Sequence, residues 1–162
     1  RIAWFKVYHP LAFYAAFFSI RAKAFDLRIM TGDLNTQLKE FNRIKALDRG
    51  ASPKEKDLMS ALEVSMEMYQ RGYRFVNVDI QHSEARRFSI KDGALLPPFL
   101  AIDSLGETVA DAIVAEREER PFTSLKDLQR RCKVSNTIID LMKELKCCGE
   151  LPEDEQMSLF GA

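Results

Sequence analysis

Ile102-Asp103-Ser104-Leu105-Gly106 stands directly before a helical pattern, Glu107–Glu119, that carries Ala110, Ile113, Val114 and Arg117. Phe122 follows, and then Ser124-Leu125-Lys126-Asp127, a capping-box pattern that opens a second helix to about Cys132. A tight turn between two helices presents consecutive backbone amides at a helix N-terminus. Those amides and the helix dipole suit a phosphate. Such a contact ignores base identity, so it grips nucleic acid without reading it. The candidate contacts are Ser104, Leu105, Gly106, Glu107 and Thr108, with Arg117 further along the helix.

Lys133-Val134-Ser135-Asn136 separates the second helix from a third, which Ser135 can cap and which runs to about Lys146, with Gly149 beyond its end. This segment reads as a second, degenerate hairpin and adds Lys133, Ser135 and Asn136. Arg117, Arg130, Arg131, Lys133, Lys143 and Lys146 are the nearby cations. The apolar–x–small–apolar–Gly turn and the downstream Phe-x-Ser-x-x-Asp-Leu resemble a helix-hairpin-helix motif. Paired hairpins of that kind can grip both strands across a groove. Ser104 stands where that family usually has Gly, and a side chain accepts a left-handed backbone less readily. The same signals also fit a plain helical bundle with solvated charges.

Upstream, Pro97-Pro98 marks a domain boundary. Before it, the period-two run Phe75, Val76, Val78, Ile80 predicts a strand, and residues 87–90 and 94–96 flank Lys91-Asp92-Gly93, a hairpin turn signal. Ser52-Pro53-Lys54-Glu55 is a helix start with a reciprocal cap, and the helix runs through Leu58, Leu62, Met66 and Tyr69 to a stop at Gly72. Residues 33 to about 46 predict another helix. The first stretch reads as two helices split at His9-Pro10. The second of these is apolar on all faces and calls for burial on all sides, which a short chain can hardly supply. Exposed Phe13, Tyr14, Phe17 and Phe18 would drive association. The fold class is mainly α with a small β-hairpin element.

The tail from Glu150 carries four acids and no base, and is expected to be extended and exposed. Acids repel phosphate, so its partner is a protein. Gln156-Met157-Ser158-Leu159-Phe160 can place Leu159 and Phe160 in an apolar pocket, with Gln156 bonding at the rim. The alternative is that Leu159 and Phe160 pack on the chain's own core.

The 162 residues, 46% apolar and 30% charged, allow one or two small domains. Net charge is zero, so nucleic-acid binding must rest on local geometry. Cys132, Cys147 and Cys148 lack zinc-site spacing and read as reduced thiols. Residues 12–20 are too short an apolar run to span a bilayer. His9 and His82 show no partner pattern, and Asp79 and Glu84 form no carboxylate set for two metals. No catalytic or metal-binding residue is therefore assigned. A start at Arg1 rather than Met is expected of a piece of something longer.

Residues 1–14 (RIAWFKVYHPLAFY), 52–56 (SPKEK), 72–75 (GYRF) and 96–99 (LPPF), with the C-terminal pentapeptide, resemble the C-family bacterial replicative polymerases of the PolC type. The pentapeptide is similar to that family's sliding-clamp motif Gln-Leu-x-Leu-Phe, with Met157 for the first Leu. The resemblance implies a helical fingers segment with the small β element (residues 1–96), a tandem helix-hairpin-helix domain on duplex DNA (97–149) and a clamp-binding tail (150–162). The implied partners are primer–template duplex, the sliding clamp and the remainder of the polymerase, in the cytoplasm and with no membrane. The metal-binding aspartates, their Mg2+ and any proofreading exonuclease would lie upstream, leaving no cofactor here. The competing reading is a protein-interaction module without DNA binding.

Overall fold

Pro10 divides the first helical stretch. The computed structural model describes residues 1–154. In it, α1 (Ile2–Tyr8) ends at His9, and Pro10 opens α2 (Pro10–Ile20). Proline pushes its predecessor out of helix and loses no bond at a helix start. Only one face of α2 is covered: Tyr14 and Phe18 are fully buried, while Ile20 is 83% exposed. Burial on all sides is thus not reached within this chain, and the expected exposure of Tyr14 and Phe18 is corrected. Phe18 packs in an aromatic cluster with Phe25, Phe75 and Phe88. The Tyr14 hydroxyl donates to Glu67 (3.1 Å) and accepts from Arg71 (2.9 Å). α1 buries no residue and leaves Ile2, Trp4, Phe5, Val7 and Tyr8 exposed.

A short α3 (Leu27–Met30) leads to α4 (Leu34–Leu47) and α5 (Pro53–Gln70), which pack together. Asp33 caps α4 through the Thr36 amide. Ser52 and Glu55 exchange bonds at the start of α5, with Glu55 N–H donating to Ser52 Oγ and Ser52 N–H to Glu55 Oε2. Gln37 is buried within this unit. It donates to the Met30 carbonyl (3.1 Å) and accepts from Ser65 (2.6 Å), which offsets the desolvation of its amide. Gly72, at φ 87°, ends α5 in the left-handed region open to glycine.

Residues 75–80 do not form the predicted strand. Phe75 makes a single parallel bridge to Leu95, with Val76 N–H donating to the Leu95 carbonyl. The chain then leaves the sheet, because other acceptors take its donors. Asn77 Nδ2 donates to the Leu145 carbonyl at 2.7 Å, and Ile80 N–H to that of Cys147. The hairpin forms as expected: β1 (Ser89–Lys91) pairs antiparallel with β2 (Ala94–Leu96). Asp92 and Gly93 both have positive φ, as a two-residue turn matching strand twist requires.

Beyond the prolines come a 3-10 turn (Phe99–Ala101) and then α6 (Glu107–Glu119), α7 (Leu125–Cys132) and α8 (Asn136–Glu144). The element before the first turn is thus a single 3-10 turn rather than an α-helix. Buried apolar residues on both sides of Pro97-Pro98 join one cluster. Cys132, Cys147 and Cys148 are free and buried, which pushes their thiols up to about 11, 12 and 11. Among the described residues, no helix is long and apolar enough to cross a membrane, and no cluster could hold a metal ion.

Candidate nucleic-acid interface

Two turns share one backbone pattern. In the first, Ser104 is left-handed (φ 64°), Leu105 is buried, and Gly106 is the extended N-cap of α6. In the second, Lys133 is left-handed (φ 54°), Val134 is buried, and Ser135 is the extended N-cap of α8. In each, the buried apolar residue pins the turn and the left-handed residue reverses the chain. The residue pair Ser104 and Lys133 hides this equivalence in the sequence, since neither is glycine. Gly106 is not left-handed: its φ is −78°, and a Cβ there would meet nothing within 4 Å.

The helix starts differ in how they are satisfied. Ser135 accepts from the Ile138 amide, so α8 carries its own cap. Gly106 offers no side chain, and Ser104, Gly106, Glu107 and Thr108 are exposed. The first amides of α6 therefore face solvent with the positive end of the helix dipole behind them. α7 is closed twice over. Ser124 Oγ accepts from the Asp127 amide, but the Asp127 carboxylate bonds Thr123 N–H, so only the forward half of the expected capping box forms. The tail also reaches back: the Pro152 and Glu153 carbonyls accept from the Leu125 and Lys126 amides, while Asp154 pairs with Lys126 and Glu153 with Lys143. Residues 152–154 are thus docked on the domain, correcting the expectation of a wholly free tail. The pentapeptide Gln156-Met157-Ser158-Leu159-Phe160 lies outside the described residues.

Most of the expected cations are internally engaged. Arg117 donates to the Ile80 and Ser83 carbonyls at 3.1 and 2.8 Å, and burial lowers its pKa. It anchors the loop of residues 79–83 against α6. Arg130 and Arg131 converge on Asp127, and Arg131 also holds Glu116. Lys133 is exposed and Lys146 lies at a left-handed position, and neither forms an ion pair among the described residues. Asn136 accepts from Gln129. His82 does have partners: Asp79 accepts from it and from Lys91, at 2.7 and 2.9 Å.

The first turn gathers charges that no local pattern reveals. Glu107 pairs with Lys23 (3.2 Å) and Arg86 (3.1 Å), and Asp103 lies 3.5 Å from Lys54. Arg86 also grips Asp111 through both guanidinium edges. Lys23 and Lys54 flank a cleft of about 560 Å³ between residues 22–28 and the first turn.

A family model described as a helix-hairpin-helix motif matches residues 72–156. Over 160 residues the chain is 44% identical to a protein of Caldanaerobacter subterraneus subsp. tengcongensis named DNA polymerase III PolC-type, covering 99% of this chain and 11% of that protein. Proteins of the same name from Streptococcus suis and Streptococcus pyogenes serotype M12 are 45% and 43% identical, with the same coverage. The chain therefore spans about a tenth of the length of the curated relatives it matches.

Proposed function

Because the chain belongs to the helix-hairpin-helix family and matches one region of PolC-type DNA polymerase III proteins, we propose that it is the duplex-gripping region of a replicative DNA polymerase. Template-directed nucleotidyl transfer, its Mg2+ and any proofreading would reside elsewhere in the parent protein. On this reading residues 1–96 end the fingers and meet the remainder of that protein through the exposed apolar face of α1. Residues 97–149 hold primer–template duplex, and residues 150–162 tether the sliding clamp. The observation that carries the DNA reading is the repeated turn at residues 104–106 and 133–135, with the α6 amides left open. Phosphates fit that arrangement, and Lys133 supplies charge at the second turn. Arg117, bonded to two carbonyls, acts on this reading by bracing α6.

Gly106 gives a test that leaves folding intact, since its φ is ordinary and its surroundings are open. Gly106→Asp places a carboxylate over the amides. Duplex affinity should fall by about tenfold at moderate salt, while Gly106→Ala stays close to wild type. Fluorescence anisotropy with a labelled duplex reads both, and equal affinity for wild type and Gly106→Asp would defeat the assignment. For the tail, Leu159→Ala with Phe160→Ala should abolish binding to immobilised sliding clamp. Retained clamp affinity in that double variant counts against the tether.

A further inference from the structure

The two turns differ in where their positive charge comes from. The second carries a cation in its own backbone reversal, Lys133. The first has uncharged Ser104 there, yet three cations from three separate elements surround it. Lys23 comes from the 3-10 turn Ala22–Ala24, Lys54 from the first turn of α5, and Arg86 from the segment before β1. All three belong to the half of the chain before Pro97. Lys23 and Arg86 meet on one carboxylate, Glu107, at the first helical position of α6. That carboxylate sits where an anion is favoured: beside uncapped amides, at the positive helix end, bracketed by two cations.

We propose that Lys23, Lys54 and Arg86 belong to the duplex-contacting surface, and that the Glu107 carboxylate holds the place of a backbone phosphate. This rests on the reading of the first turn as a phosphate contact. The side chains of Lys23 and Lys54 are each 75% exposed and that of Arg86 is 50% exposed. Ion pairs that exposed are weak and screened, so their cations are free to change partner. A phosphate brings a full charge and several acceptor oxygens to the same place. Glu107, Asp103 and Asp111 keep the cations positioned without duplex and hold down affinity for stray anions. The duplex footprint then crosses from the hairpin region onto the first half of the chain.

The test compares duplex binding by the full chain, its triple variant Lys23→Ala/Lys54→Ala/Arg86→Ala, and Glu107→Gln, across a salt series. The triple variant should bind at least about tenfold more weakly. Its slope of log affinity against log salt should be shallower by about two to three, near 0.9 per lost phosphate contact. Glu107→Gln should bind about threefold more tightly, since the competing charge is gone. Thermal unfolding checks that each variant folds, and the salt slope reports contacts that misfolding cannot mimic. If wild type binds and the triple variant keeps both its affinity and its slope, the assignment of these cations is overturned. Weaker binding by Glu107→Gln overturns the placeholder role. If wild type itself shows no salt-sensitive binding, the phosphate reading of the turn fails, and this inference with it.

Discussion

Phe18→Ala should cost about 4 kcal/mol of unfolding free energy, the largest effect expected from a single substitution in this chain. Phe18 is fully buried. Its ring centroid lies 4.9 Å from Phe75, 5.8 Å from Phe88 and 6.3 Å from Phe25. Truncation removes the transfer energy of the ring and leaves a cavity among aromatic neighbours that cannot close over it. The edge-on contacts with Phe75 and Phe25 are lost as well, at about 0.5–1.5 kcal/mol each for such pairs. The loss falls where α2 meets the hairpin, so it should weaken the junction of the N-terminal helices with the rest. Stability of domains this size is about 5–15 kcal/mol, so Phe18→Ala removes a large share of it. Urea unfolding followed by circular dichroism measures the effect. Ile20→Ala, two residues on and 83% exposed, is the internal comparison and should stay within about 0.5 kcal/mol. Equal costs at the two positions would show that α2 is not anchored by this face.

Asp127→Ala should be the second most damaging change, at about 3 kcal/mol. Its carboxylate is fully buried and accepts from Thr123 N–H, Arg130 and Arg131, with Arg120 at 3.4 Å. Removing it leaves the Thr123 amide and the largely buried Arg131 head short of an acceptor. Arg120 and Arg130 are exposed and return to water, which keeps the cost below that of a wholly buried network. Burial raises the Asp127 pKa, but the Thr123 amide, Arg130 and Arg131 outweigh it, and the folded pKa lies below the ordinary value. Its contribution is therefore fully present above pH about 4, the unfolded carboxylate range, and is lost as pH falls through the lower folded value. Asp79 acts in the same direction: burial raises it, but Lys91, the Gln81 amide and His82 bring it down to about 2. Wild type should lose stability steeply on acidification between about pH 4 and 2, and Asp127→Ala should lose less over that interval. Parallel acid limbs from urea unfolding at several pH values would contradict the role given to Asp127.

Short-range chemistry was legible before any coordinates. The Ser52–Glu55 reciprocal cap, the break at His9-Pro10, the Asp92-Gly93 turn and the Ser135 cap each depend on residues within a few positions of one another. The first hairpin turn was legible for the same reason, and with it the region of the molecule to examine for a phosphate contact. The run Phe75 to Ile80 misled because alternation reports half-burial and leaves the partner unnamed. Here the donors of Asn77 and Ile80 go to carbonyls at the end of the last helical region instead of to a strand.

The amino-acid sequence by itself determined the helices, their caps, the hairpin and the positions of both turns, because backbone preferences and capping act over one or two turns of chain. The tertiary structure alone decided which face of α2 is buried, that Arg117 serves two carbonyls, that residues 152–154 close the start of α7, and that Lys23, Lys54 and Arg86 gather at the Ile102-to-Gly106 turn. The physical reason is common to all four. Packing and ion pairing act between groups close in space, and no periodicity records which distant segments the folded core brings together.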